Sequence, residues 1–142
     1  MRENSTGKFE NELKECKDIN VFIEKNKDCF IDLSAQVYLN KQMLQKGITK
    51  KEVVKNCGLD PIYAYQILSG RKNGERDKWL CIAYAAQLSL EETNRLLYCA
   101  GKSKLYPKAK RDAILIFGFH HHLTVPQVDD LLYDAQEKTL IG

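Results

Sequence analysis

The sequence predicts an all-α protein. Three stretches have the form of a capping box that opens a helix: Thr49-Lys50-Lys51-Glu52, Ser89-Leu90-Glu91-Glu92 and Thr124-Val125-Pro126-Gln127. Only 3 prolines and 8 glycines interrupt the 142 residues. The alternation of β-branched and polar residues that marks strands is scarce.

Taken in order, the first thirty residues read as one or two weak helices, near 8–16 and 19–26. A helix over about 33–46 ends at Gly47, where positive φ is cheap. The first capping box opens 50–57. Asp60 is then an N-cap, with Pro61 at the first helical position of 61–69, and Gly70 closes that helix. Further helices follow over 76–87, 90–100, 108–121 and 125–136.

Residues 76–102 repeat at an offset of 35. Arg76-Asp77 matches Arg111-Asp112, and Leu88-Ser89 matches Leu123-Thr124. Leu96-Leu97-Tyr98 matches Leu131-Leu132-Tyr133. Eight of the 27 positions are identical, and Tyr84/Phe119, Ala83/Gly118 and Glu92/Gln127 are close. Each copy reads as a helical hairpin with a capping box at its second helix. Two copies are too few for a solenoid, so one hairpin is expected to stack on the other. The chain divides into an N-terminal helical extension (1–32), a central domain (33–101) and a C-terminal hairpin (102–142).

Composition narrows the function. No apolar run approaches the roughly 20 residues of a membrane span, and the polar start lacks a signal-type stretch, so a cytoplasmic protein is expected. Cys16, Cys29, Cys57, Cys81 and Cys99 are odd in number, widely spaced and without a CxxC pair, which argues for core thiols over disulfides or a zinc finger. Residues 36–111 hold 15 basic and 6 acidic side chains, a balance of +9. The flanks carry −2 (1–35) and −4 (112–142). A phosphate backbone suits that central zone, as does plain solvation.

The stretch 48–72 runs as a short helix, a tight turn at Gly58 and a second helix, without slack. Val53 and Cys57 share one face of the first helix. Ala64, Ile67 and Leu68 share one face of the second, and the two faces are expected to pack together. Ile62, Tyr63, Gln66 and Ser69 then point outward, as a recognition helix does toward a major groove.

These residues resemble the lambda-repressor-like, or XRE, helix-turn-helix family. The match runs without gaps from about Leu39 to Thr93. It takes in Val54 and Gly58 at the turn, then Ser69-Gly70-Arg71-Lys72-Asn73. It continues through Asp77-Lys78-Trp79-Leu80-Cys81-Ile82-Ala83 and Leu88-Ser89-Leu90-Glu91-Glu92. The resemblance implies a five-helix DNA-binding core, here extended by the C-terminal hairpin. It implies base reading from Pro61, Ile62, Tyr63 and Gln66, of which Gln66 carries the bidentate amide suited to adenine. It implies phosphate contacts from Lys50 and Lys51 and from Arg71, Lys72, Arg76 and Lys78 around Asn73. The chain departs from the family at four places. Lys50 replaces a common glutamine, Val54 an alanine and Gly74 a frequent proline, and Met43 with Leu68 replaces an Arg–Glu pair found in some members.

Other candidates are weaker. Consecutive helical residues point about 100° apart, so His120-His121-His122 cannot chelate one ion together. Their positive form suits a helix C-terminus. Lys102, Lys104, Lys108, Lys110 and Arg111 form a basic linker that could reach flanking DNA or simply face water. The acidic hairpin around Asp129, Asp130 and Asp134, with Leu131, Leu132 and Tyr133, is a candidate surface for dimerisation or a protein partner. No catalytic motif appears, so neither enzyme activity nor a cofactor is expected. The sequence thus reads as a bacterial or phage-type transcriptional regulator. It would bind double-stranded DNA as a homodimer through the helix at 61–69. The alternative is a protein-interaction adaptor on the same fold.

Overall fold

The structure, a computed structural model, describes residues 6–27 and 34–141. Among these residues there are nine α-helices and no strand. The chain forms two compact units, Met1–Asp32 and Leu33–Gly142.

The first unit holds α1 (Thr6–Glu15) and α2 (Ile19–Lys25). Asp18 caps α2 by accepting from the Asn20 amide at 2.9 Å. Phe9 and Phe22 meet with ring centroids 5.7 Å apart. Asn26 is buried, and its side-chain amide donates to the Phe22 carbonyl (3.0 Å) and to Glu12 (3.3 Å). Burial without these partners would be costly.

The second unit runs through α3 (Ala35–Lys46), α4 (Lys50–Asn56), α5 (Pro61–Ser69), α6 (Arg76–Ala85), α7 (Leu90–Cys99), α8 (Lys110–His120) and α9 (Val125–Asp134). All three capping boxes form, at Thr49/Glu52, Ser89/Glu92 and Thr124/Gln127. α6, α8 and α9 end one or two residues before the expected points. The cause is the same each time. Gln87, His122 and Gln136 take positive φ, and the next amide bonds back into the helix. Leu88 donates to the Ala83 carbonyl, Leu123 to Gly118 and Glu137 to Leu132. Each helix is closed by a residue whose side chain gives no glycine signal.

α6 is the central helix, buried without a break from Trp79 to Ala86 and packed against α4, α7 and α9. A helix apolar all round is the kind that sits inside a core. Val53, Val54 and Cys57 from α4 and its cap join Ala64, Ile67 and Leu68 from α5 in that core. Met43 and Leu68 are both buried there, an apolar solution that carries no desolvated charge. Residues 102–142 belong to the same compact unit as 33–101, so the expected division at 101/102 separates sequence copies and not packing bodies.

The two copies are related as if by a two-fold axis. α6 packs on α9, and the equivalent α8 on α7. Arg76 holds Asp112 through two bonds (3.0 and 2.9 Å), and Arg111 holds Asp77 through two (3.0 and 3.0 Å). Each arginine also takes a carbonyl 27 residues ahead, Arg76 that of Ser103 (3.0 Å) and Arg111 that of Lys138 (2.9 Å). Equivalent parts contacting one another reciprocally define an isologous interface, formed here inside one chain.

Candidate nucleic-acid interface

Sequence and capping place α5. The Asp60 carboxylate accepts from the Tyr63 amide at 3.1 Å, so its charge serves the helix N-terminus. Gly70 closes the helix at φ 85, and the Lys72 amide bonds back to the Gln66 carbonyl at 3.2 Å. Gln36, on α3, donates to the Ile67 carbonyl at 3.2 Å and pins the C-terminal turn of α5. Nothing in the sequence singled Gln36 out, because its partner lies 31 residues away.

The outward face of α5 is mixed. Ile62 is 70% exposed and Tyr65 45%. Tyr63 is half-buried and packs on the core, with the Lys72 ammonium 6.0 Å from its ring centroid. Gln66 is half-buried. The Ser69 hydroxyl donates to the Gln66 carbonyl at 3.1 Å, which leaves its oxygen able to accept. Tyr65 was not among the expected contacts, yet its place one turn from Ile62 and Ser69 puts it farther out than Tyr63.

The basic residues divide. Lys50, Lys51, Arg71 and Lys72 are exposed, and none of them forms an ion pair among the described residues. Arg76 corrects the expectation that it holds phosphate. Its guanidinium is spent inside the molecule on Asp112, Ser103 and Lys104, and its side chain is 23% exposed. Asn73 has its Oδ1 engaged by the Trp79 indole N–H at 3.2 Å, so it shapes the loop after α5. Gly74 is buried because space demands it: an added Cβ would lie 2.9 Å from Ile67 Cδ1 and 3.1 Å from Lys78 Cβ.

Burial pushes the Asp112 carboxyl up, but Arg76 and the Tyr106 amide outweigh it and hold its pKa below the ordinary value. Glu92 is likewise lowered, burial being overcome by the Ser89 amide and by Lys46 at 3.0 Å.

The other candidates lie apart from this surface. His120 ends α8, His121 is its C-cap and sits 4.1 Å from Phe117, and His122 holds the left-handed turn. No group of three metal-ligating side chains occurs among the described residues. Cys16, Cys57, Cys81 and Cys99 are free thiols, with burial pushing Cys81 up to about 12, while Cys29 lies outside the described residues. No helix among the described residues is long and apolar enough to cross a membrane. No protein-family model matches the chain, and neither a curated protein nor a solved structure matches it.

Proposed function

We propose that this protein binds double-stranded DNA and reads it with α5, as a transcriptional regulator of the lambda-repressor-like kind. One observation carries the reading. The outward face of α5 adjoins a turn whose cations, Arg71 and Lys72, are exposed and form no ion pair among the described residues, Lys72 lying only over the Tyr63 ring. Exposed cations with no carboxylate partner suit an anionic partner outside. In this reading Lys50, Lys51, Arg71 and Lys72 hold phosphates and fix the register. Gln66, Ile62, Tyr63 and Ser69 meet base edges, and Asn73, itself exposed, braces the loop through the Trp79 indole. Two copies on adjacent half-sites would supply useful affinity.

The test is duplex binding by the full chain as a function of salt, on DNA selected from a random library. The expected result is steep salt dependence that Arg71→Glu with Lys72→Glu removes while the fold persists. Absence of salt-sensitive duplex binding at low ionic strength overturns the proposal.

A second reading, docking of a protein on the same helix, draws on the exposure of Ile62 and Tyr65. It predicts capture of a partner that depends on Ile62 and ignores Arg71 and Lys72.

A further inference from the structure

We infer that the loop between the two hairpins, residues 102–109, is a second DNA-backbone contact, built to grip phosphates that flank the segment read by α5. The inference rests on the DNA-binding reading above.

Its first support is rigidity. The carbonyls of Ser103 and Lys104 each accept from Arg76 at 3.0 Å. The Leu105 amide donates to Asn94 Oδ1 at 2.9 Å, and the Tyr106 amide to Asp112 Oδ2 at 2.9 Å. The Leu105 side chain is buried. Backbone groups at four successive residues are thus fixed, while the side chains of Lys104, Tyr106 and Lys108 stand exposed. Ordering entropy that normally weakens a loop contact is already spent on folding.

Its second support is position. Arg76 is the first residue of α6 and directly follows the loop 70–75 that carries Arg71 and Lys72. The guanidinium that reaches Ser103 and Lys104 therefore ties the basic linker to the end of the phosphate-facing loop. Glu75 is exposed between them, and Asp112 and Asp77 are neutralised by arginines.

The third support is an internal control. The repeat builds two of these bonds a second time, with Arg111 on the Lys138 carbonyl and the Leu140 amide on Asp129. Lys102-Ser103-Lys104 corresponds to Glu137-Lys138-Thr139, so the second loop holds one lysine, which sits beside Glu137 and pairs with Asp77 at 3.9 Å. The clamp alone does not require lysines. Lys102 and Lys104 occur in the copy whose loop Arg76 ties to the end of the segment that carries Arg71 and Lys72.

A duplex is the partner of choice because the exposed groups are ammoniums and one phenol on a fixed backbone, suited to contacting phosphate without reading bases.

The experiment compares the full chain with Lys104→Gln plus Lys108→Gln, and with Lys138→Gln as the equivalent-loop control. Binding is measured against salt on a library-selected duplex with long flanks, and hydroxyl-radical footprints are taken. Fluorescence of the buried Trp79 checks the fold. The double variant is expected to lower the slope of log affinity against log salt by about 2 and to lose protection at the flanks, with sequence preference kept. The Lys138 variant is expected to match the unaltered chain. If the chain binds duplex but the double variant keeps the original slope and footprint, this inference fails alone. If the unaltered chain shows no salt-sensitive binding, the DNA reading fails and takes this inference with it.

Discussion

Tyr84 and Phe119 stack with ring centroids 3.8 Å apart and planes 3° from parallel. They occupy the same position in the two copies of the repeat, so a residue meets its own equivalent across the interface. That happens only on a symmetry axis. The two hairpins therefore form an internal pseudo-dimer, locked at one end by the Arg76–Asp112 and Arg111–Asp77 pairs and along its axis by this stack. One asymmetry sharpens it. The Tyr84 hydroxyl donates to the Leu115 carbonyl at 2.6 Å, a bond its phenylalanine equivalent cannot make. Burial pushes the Tyr84 phenol up, which keeps it a proton donor at any physiological pH.

Val128 and the bonded Tyr84 hydroxyl together explain Gly118. A glycine inside a helix is unfavourable by about 1 kcal/mol against alanine. Here a Cβ would lie 2.5 Å from Val128 Cγ2 and 2.6 Å from the Tyr84 hydroxyl. Gly118→Ala is therefore expected to destabilise by about 2 kcal/mol, despite its better helix propensity. Tyr84→Phe removes one of the two clashing atoms, so in the Gly118→Ala background it should cost less than it does alone. Urea unfolding of the four chains in this cycle measures the coupling. Simple additivity would show that the hydroxyl does not set the glycine.

Much of this architecture was legible, and the reason is local. Caps such as Thr49/Glu52 and breaks such as Gly47 act within a few residues, so the sequence states them directly. The Arg-Asp pairs at 76–77 and 111–112 announced the repeat. Their reciprocal bonding was not announced, because which arginine meets which aspartate depends on how the hairpins dock. The same gap misassigned Arg76, whose partner lies 36 residues away. A basic residue beside a candidate phosphate loop looks free until its distant carboxylate is seen. Gln36 escaped for a related reason, acting through a carbonyl on another helix.

Asp112 makes stability depend on acid. Its folded pKa lies below the unfolded value, so its contribution is present above about pH 4 and is lost as pH falls through the folded pKa. Glu92 contributes with the same sign. Asp112→Asn is expected to cost about 2 kcal/mol at pH 7, by leaving Arg76 half-buried without its carboxylate. The gap between variant and unaltered chain should narrow as pH is lowered from 7 to 2.5. Chemical denaturation at the two pH values checks this. A loss that stays equal at both would mean the charge is unimportant.

Asn73 separates structure from recognition. Its Oδ1 satisfies the indole N–H of a fully buried Trp79. Asn73→Ala should destabilise by about 1 to 2 kcal/mol through the stranded donor. Asn73→Asp keeps the acceptor and should fold with near-normal stability, while placing a carboxylate in the loop proposed to face phosphate. Weaker duplex binding at unchanged thermal midpoint is the expected pair of results. Unchanged binding would remove this loop from the interface.

Ile62 discriminates between the two readings of α5. At 70% exposure it adds little to the core, so Ile62→Ser should leave stability within about 0.5 kcal/mol. If α5 reads DNA, the loss should depend on sequence. A side chain touching a thymine methyl gives up part of the roughly 1 to 3 kcal/mol that one base-pair mismatch costs, and phosphate binding by Arg71 and Lys72 persists. Affinity for the selected duplex should then fall while affinity for random duplex and the salt slope hold. If α5 docks a protein, neither DNA affinity moves and partner capture is lost. Anisotropy titrations on both duplexes, with the Arg71→Glu, Lys72→Glu chain alongside, place the two effects on separate axes: specificity in the helix, and electrostatic affinity in the turn that closes it.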